Sequence, residues 1–355
     1  MNLLILGGTR FLGRHLAQLA LEAGHQVTLL HRGRSNPALF PQAEHLIADR
    51  DQPSALAAAL HSVDTSWDAA IDTSAYFPRQ VRQVAELLGD SVGQYQLVSS
   101  ISVYAGFDTL ATDESAPRLA LNEAEATTVT GATYGGLKAL CEDAAFEGFG
   151  ERCLVARPGL LVGPHDPTGR FTWWAERFAR AGASAGAADD AEDNDAEVLA
   201  PGDPLGPVQC VDARDAAAWL LHQADACTSG ACNLTGPELP LTMGEFLATA
   251  QRALAPDSRL CWVDEAFLLQ QGVAPWSDVP VWLPDASSGM HRIDISRALA
   301  TGLQCRPLAQ TLADTAAWAA RQGDQPTPPS ATPPRPPVGL SREREAALRA
   351  AWLAR

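Results

Sequence analysis

Residues 2–32 read NLLILGGTRFLGRHLAQLALEAGHQVTLLHR: an apolar run, a glycine-rich turn, an amphipathic stretch and a second apolar run. Leu3–Leu6 and Val27–Leu30 have the length and apolar character of buried strands, and Phe11–Ala23 has helical periodicity. A strand–turn–helix–strand unit of this kind places the second strand parallel to the first. The alternation continues: His45–Ala48, Ala69–Asp72, Tyr95–Ser99 and Cys153–Ala156 read as strands, and Pro53–Leu60, Arg79–Leu88 and Tyr134–Phe146 as helices. The expected fold is α/β, a Rossmann-type doubly wound parallel sheet with a smaller C-terminal substrate-binding lobe.

The turn GGTRFLG (7–13) carries the first chemistry. Gly7 permits the tight turn and Gly13 lets the helix pack closely on the sheet. Amides at the helix N-terminus then face an anion, here the pyrophosphate of a dinucleotide. The candidate cofactor-binding residues of this turn are Gly7, Thr9, Arg10, Phe11, Leu12 and Gly13; Arg10 stands where the pattern GxxGxxG has its middle glycine. The second strand ends at His31, followed by Arg32 and Arg34, with no acid for the adenosine ribose. Two guanidiniums and no carboxylate fit a 2′-phosphate, so NADP is expected over NAD, unless the segment is simply a solvated basic turn. Asp49, after the third strand, is placed to bond the adenine amine or to cap a turn.

Tyr134 and Lys138 stand four apart in TYGGLKALCE, and on a helix they share one face. A free phenol is a poor base at neutral pH; a neighbouring ammonium favours the phenolate. Lys138 is the only lysine among 26 basic residues, and only four of 355 positions lie four residues after one of the four tyrosines. A point-charge ammonium in a chain that otherwise uses arginine suggests a role that guanidinium does not fill. Ser100, in LVSSISVYAG (97–106), ends the fifth strand at the edge where ligands bind in open α/β sheets, with Ser99 and Ser102 as rivals. The expected catalytic group is Tyr134, Lys138 and Ser100.

Composition narrows the partners. Asp plus Glu number 42 against 26 Lys plus Arg, a formal charge of −16, which disfavours nucleic acid and anionic membranes. Seven scattered cysteines without a CxxC pair read as buried thiols in a reducing compartment. No His/Cys/Asp/Glu cluster has metal-ligand spacing. Neither a secretory leader nor a membrane-spanning run is apparent, so a cytoplasmic protein is expected. Its partner would be a small-molecule substrate, and a homodimer is an assembly open to it.

The expected organisation is a dinucleotide domain over residues 1–165 with strands returning from about 200–235, a substrate lobe mainly over 166–320, a Pro-rich linker over 322–339 and a C-terminal helix over 340–355. Ser341 would cap that helix, with Glu343 and Glu345 in its first turn. Ala181–Glu197, with six acids, and Gln322–Gly339 have the composition of disorder. Arg170, Trp173, Trp174 and Gln209 are candidate substrate-lobe residues, the tryptophans also suiting a core, and His165 reads as a loop histidine.

GGTRFLG (7–13), SSISVYAG (99–106), YGGLK (134–138) and RPGLLVGP (157–164) together resemble the extended (atypical) short-chain dehydrogenase/reductase superfamily, in particular the NAD-dependent epimerase/dehydratase group. VQCVDARDAAAW (208–219) is similar to that group's later strand–helix segment. The resemblance implies an NAD(P)-dependent oxidoreductase of epimerase, dehydratase or reductase type, acting on a hydroxy or keto group, often of a nucleotide sugar. It also implies that the serine four residues before the SVY tyrosine, Ser100, is catalytic. Arg10 departs from the pattern, as does DTSAY (72–76), where many relatives have an Ala-rich stretch. The GGTRFLG form also resembles an atypical plastid branch that binds RNA. The alternative reading is therefore a non-catalytic dinucleotide sensor or RNA-binding protein.

Overall fold

The computed structural model describes residues 1–107, 111–124, 126–185, 195–322 and 338–355. The chain divides into two compact units. One comprises Met1–Leu161, Cys210–Glu238 and Ile293–Cys305; the other comprises Val162–Gln209, Leu239–Arg292 and Arg306–Arg355.

The first unit contains, in order, β1 (Asn2–Leu6), α1 (Phe11–Glu22), β2 (Gln26–His31), β3 (Glu44–Ile47), α2 (Pro53–His61), β4 (Trp67–Asp72), α3 (Pro78–Leu88), β5 (Val92–Val98), α4 (Tyr134–Phe149) and β6 (Cys153–Pro158). Each matches its sequence expectation to within three residues at either end. The strand Gly230–Leu234 completes a seven-stranded sheet, beside β6, and the order continues β5, β4, β1, β2, β3. Every pair in it is parallel. Alternate side chains of a strand face opposite sides. Leu3 and Ile5 accordingly pack with Leu16 of α1 and Trp219 and Leu220 of the helix Ala213–Ala226. Leu4 and Leu6 pack with Leu56, Val81, Val84 and Phe149 of α2, α3 and α4. The sheet is thus a Rossmann-type doubly wound sheet. The chain turns to opposite sides of β1 after β3, and the carboxyl edge beside β1 and β4 is the topological switch point where ligands bind.

In the second unit Glu197–Pro201 pairs in parallel with Arg259–Val263, among the helices Arg170–Ala185, Met243–Leu254, Leu308–Gln322 and Arg342–Leu353. The last helix is capped by Ser341 Oγ, which accepts from Arg344 N. Its Glu345 is buried, accepting from Arg177 Nε at 2.7 Å and from Leu199 N at 3.0 Å. The segment expected to be disordered over Ala181–Glu197 is ordered at both ends. Ala181 is wholly buried in its helix, the Asp195 carbonyl accepts from Arg177 Nη1 at 2.9 Å, and Glu197 pairs with Arg349 at 2.8 Å. Acids that look solvated in sequence are here neutralised by arginines distant along the chain. Residues 186–194, and residues 323–337 of the expected Pro-rich linker, lie outside the described residues. Among the described residues no helix is long and apolar enough to cross a membrane, and all seven cysteines are free.

Candidate dinucleotide and acid–base site

The glycine turn is fixed by its neighbours. Gly7 has φ 102°, a left-handed conformation, and a Cβ there would lie 2.6 Å from Thr73 Oγ1. A Cβ on Gly13 would collide with the Gly7 carbonyl oxygen. The contact lets α1 start directly behind the turn, aiming its first amides along the carboxyl edge. Arg10 does not crowd that edge: it is exposed, with extended backbone at φ −138° and ψ 143°. The strain falls on the next residue instead, since Phe11 has φ 39°, a conformation rare for a bulky side chain. Leu12 is buried in the core, which leaves only its backbone to face a ligand. Thr9 is buried too, and its carbonyl accepts from Asn36 Nδ2 at 3.0 Å. Asn36, itself at φ 46°, ties the segment after β2 back onto the turn. The sequence reading missed it because the contact spans 27 residues.

At the end of β2 a hydrogen-bond chain fixes the tautomers of two histidines. Gly33 N donates to His31 Nδ1 at 3.0 Å, so the His31 proton sits on Nε2, which faces His45 Nδ1 at 2.8 Å. His45 Nε2 then donates to the Phe40 carbonyl at 3.1 Å. Burial, and then the neighbouring His45, lower the pKa of His31, so its ring is neutral at neutral pH. Both ring nitrogens of His31 are therefore already engaged. Arg32 and Arg34 are exposed, and Arg34 lies 3.7 Å from Asp49. Asp49 also accepts from Asp51 N at 3.1 Å, which is a turn-capping contact.

At the opposite end of the edge, α4 begins at Tyr134 and carries Tyr134, Lys138 and Glu142 on one face. Lys138 is buried, and its ammonium donates to the Ala75 carbonyl at 2.8 Å and the Val98 carbonyl at 2.7 Å. Burial pushes the Tyr134 phenol above its ordinary pKa, and a hydrogen bond with Ser100 pulls the other way. Ser100 also accepts from Ser102 N at 3.1 Å. The rival serine, Ser99, turns inward and donates to buried Glu142 at 2.6 Å. Of the serines in this turn, Ser100 is the one that meets Tyr134.

Two buried ion pairs brace this region, and neither was visible in sequence. Arg50 donates to both oxygens of Asp72, at 2.8 and 2.7 Å, and to Ser74 Oγ at 2.9 Å, while Tyr95 Oη donates to Asp72 at 2.8 Å. This explains why DTSAY (72–76) departs from an Ala-rich pattern: Asp72 is a structural anion at the end of β4. The second pair joins Glu142 to Arg157, which also donates to Tyr104 Oη at 3.0 Å; Tyr104 in turn donates to Asn233 Oδ1 at 2.5 Å.

The expected substrate-lobe residues lie in the second unit. Trp174 is wholly buried, with Nε1 donating to the Pro280 carbonyl, and is core. Trp173 and Thr172 line a cavity of about 480 Å³ together with Glu176 and Trp318. Arg170 donates to the Trp276 carbonyl at 3.2 Å and lies over that ring. Gln209 N donates to His291 Nδ1, and the His165 ring sits 5.2 Å from that of Trp318. No group of three or more potential metal ligands occurs among the described residues.

A glycine turn on a doubly wound sheet, with a Tyr–Lys helix at the same edge, defines a dinucleotide-binding enzyme of the short-chain dehydrogenase/reductase type. The chain belongs to the NAD dependent epimerase/dehydratase family, whose pattern residues 3–234 match. Among curated proteins it is similar to the chloroplast stem-loop binding protein of 41 kDa b of Arabidopsis thaliana, 31% identical over 122 residues. That match covers 31% of this chain and 32% of the relative's length, so the chain spans about a third of it. Among solved structures it resembles a candidate epimerase of Burkholderia cenocepacia J2315, 20% identical with TM-score 0.66, covering 90% of this chain and 98% of that one. It also resembles the UDP-glucuronic acid 4-epimerase of Bacillus cereus in complex with NAD, 13% identical with TM-score 0.63, covering 92% and 99%. At these identities the structural likeness speaks for the fold.

Proposed function

We infer that the protein is a nicotinamide-dependent epimerase, dehydratase or reductase acting on a hydroxy or keto group of a nucleotide sugar, with Tyr134 as acid–base, Ser100 as substrate orienter and Lys138 as the supporting cation. The observation that carries this reading is the contact of Tyr134 with Ser100 at the carboxyl edge, with Lys138 one turn further along the same helix and a glycine turn that tolerates no side chain at Gly7. The nucleotide-sugar class draws support from the Bacillus cereus enzyme, which is named for such a substrate.

The residues fit a dinucleotide. The turn and the first amides of α1 would hold its pyrophosphate, and the β2 end its adenosine ribose. The nicotinamide, when bound, supplies a hydride acceptor or donor. Tyr134 would exchange a proton with the substrate oxygen at the reacting carbon, and its raised pKa keeps it a phenol, hence ready as an acid. Ser100, whose hydroxyl donates to Ser102 Oγ at 3.1 Å, would turn its hydrogen to that same oxygen when substrate is bound. Lys138, held by two carbonyls, is fixed close to the end of β4 rather than free to wander. The acid-free end of β2, with Arg32 and Arg34 exposed, supports NADP over NAD as the preferred form. The domain reading follows: the first unit binds the dinucleotide and the second contributes the substrate lobe. We place the enzyme in the cytoplasm, on the free cysteines.

The test is absorbance at the reduced-nicotinamide band in mixtures of the protein, NAD or NADP, and a panel of UDP-sugars, with epimer analysis of the products. Turnover by the wild type, cut roughly 10²–10⁴-fold in Tyr134→Phe while cofactor affinity is kept, is the expected result. Equal turnover in the two proteins would remove Tyr134 from the mechanism. The second reading, an RNA-binding protein, draws on the name of the Arabidopsis relative. Its net charge of −16 opposes it, and a gel shift with a stem-loop RNA decides it.

A further inference from the structure

A cavity of about 480 Å³ lies within the second unit, between the helices Arg170–Ala185 and Leu308–Gln322. Thr172 and Glu176 stand four apart on the first helix, and Trp318 and Gln322 four apart on the second, so each pair presents one face to it. Trp173 completes the wall. The volume falls in the range of about 300–1,000 Å³ that small-molecule sites occupy. None of these residues belongs to the glycine turn or to the Tyr134 group, which lie in the first unit.

The walls are held in place by their own packing. The Trp173 ring meets that of Trp174 edge-on, with centroids 4.7 Å apart. Gly339, at φ 89°, packs so closely on Trp173 that a Cβ there would collide with the indole nitrogen. Gly339 N donates to the Ser277 carbonyl at 2.7 Å, which fixes that contact. The Trp318 ring rests 5.2 Å from that of His165. Two polar atoms of the lining residues go unused by the fold. Thr172 is 8% exposed, and its Oγ1, like Trp318 Nε1, is buried with no hydrogen-bond partner among the described residues. Folded proteins rarely leave such atoms unpaired, and an indole N–H can only donate, so its partner is an acceptor.

Charge selects the class of ligand. Among the described residues no lysine or arginine lines the cavity, whereas Glu176 does. A phosphate, and with it the diphosphate of a nucleotide sugar, would meet repulsion and no counter-charge there. What the walls offer is indole surface, O–H and N–H donors at Thr172 and Trp318, and acceptors at Glu176 and Gln322. A neutral sugar ring matches this set: its C–H faces are apolar, and each hydroxyl both donates and accepts.

We propose that this cavity is a binding site for a neutral sugar, its ring packed against the indoles of Trp173 and Trp318 and its hydroxyls bonded to Trp318 Nε1, Thr172 Oγ1 and the Glu176 carboxylate. The site is independent of the dinucleotide, so the full chain is tested without cofactor. Methyl glucoside, methyl galactoside and methyl mannoside are titrated into isotope-labelled protein, beside the uronate of whichever glycoside binds, and uridine as a neutral ligand of another class. The readout is the set of indole N–H resonances, that of Trp318 being identified by its loss in Trp318→Phe. A saturable shift of the Trp318 signal with at least one glycoside is expected, at a Kd on the order of 1 mM. Thr172→Val should weaken that binding roughly two- to tenfold. The uronate should bind about tenfold more weakly than its neutral counterpart, and Glu176→Gln, a change at an exposed residue, should close that gap. The Glu176→Gln arm reads the site even where Thr172→Val disturbs packing. No saturable shift with any of the glycosides overturns the proposal. So does tighter binding of uridine, or a uronate that binds as well as the neutral sugar in the wild type.

Discussion

Glu142 and Arg157 form a two-point ion pair in the interior of the first unit, Oε1 with Nε at 3.0 Å and Oε2 with Nη2 at 2.8 Å. Glu142 is wholly buried and also accepts from Ser99 and Arg118, so one carboxylate joins α4, β6, the end of β5 and the segment around residue 118. Burial opposes the Arg157 charge, but the bonds to Glu142 outweigh it and hold the guanidinium pKa above its ordinary value.

Removing one partner leaves the other charge buried and unpaired, a loss of about 3–5 kcal/mol. Glu142→Ala should therefore lower the denaturant midpoint sharply. The paired replacement Glu142→Leu with Arg157→Met should recover a large part of that loss, since no buried charge remains. Urea unfolding of the two variants beside the wild type checks this. A single variant as stable as the wild type would show that water reaches the pair and solvates the stranded charge.

The pH dependence of stability is set in part by buried neutral histidines. His291 accepts from Gln209 N at 3.0 Å through Nδ1, and its Nε2 donates to the Val281 carbonyl at 3.0 Å. Burial lowers its pKa to about 4. A histidine with a depressed folded pKa takes up its proton more readily in the unfolded chain. Its contribution is thus complete above about pH 6.5 and is lost as the pH falls towards 4, on the order of 3 kcal/mol in all. His31 is lowered as well and acts with the same sign. Melting temperatures between pH 4.5 and 7.5 should fall on acidification, and His291→Leu should flatten part of that slope while lowering stability at pH 7.5. An unaltered slope in His291→Leu would move the acid sensitivity elsewhere.

What was legible in the sequence is what is local. The alternating runs of residues 2–158 gave six of the seven strands, because burial on both faces demands continuous apolar segments. Tyr134 and Lys138 were legible because helical spacing alone brings them to one face. Long-range pairing was not: Arg50 meets Asp72 across 22 residues, and Ser99 meets Glu142 across 43. Ser99 and Ser100 look alike in sequence, yet one faces the core and the other Tyr134, because side chains alternate along the end of β5. The acidic run failed for the same reason, since the arginines that neutralise Asp195 and Glu197 lie on other helices.

The ordered ends of that run make a prediction about stability. Deleting 181–197 should destabilise strongly. It removes the last turn of the helix Arg170–Ala185, the carbonyls that Arg177 binds, the carboxylate that Arg349 binds, and the first residue of the strand that pairs with Arg259–Val263. A melting temperature equal to that of the wild type would show that these contacts contribute nothing.

Cofactor choice turns on the end of β2. An acid there would repel a 2′-phosphate, and His31 cannot, being neutral with both ring nitrogens engaged by Gly33 and His45. It also cannot contribute a bond of its own without breaking that chain, so selectivity falls to Arg32 and Arg34. Arg34 is held only loosely, 3.7 Å from Asp49 with 57% of its side chain exposed, and can turn to a phosphate at small cost. A charge-assisted hydrogen bond of about 1.5–3 kcal/mol corresponds to a preference for NADP of roughly ten- to a hundredfold. Arg10, exposed at the start of α1, is placed for the pyrophosphate common to both cofactors. Calorimetric titration with NADP and NAD should therefore show Arg32→Ala weakening NADP much more than NAD, and Arg10→Ala weakening both alike. Tighter binding of NAD than NADP by the wild type would mean that Arg32 and Arg34 face solvent and that the ribose end is read by backbone groups alone.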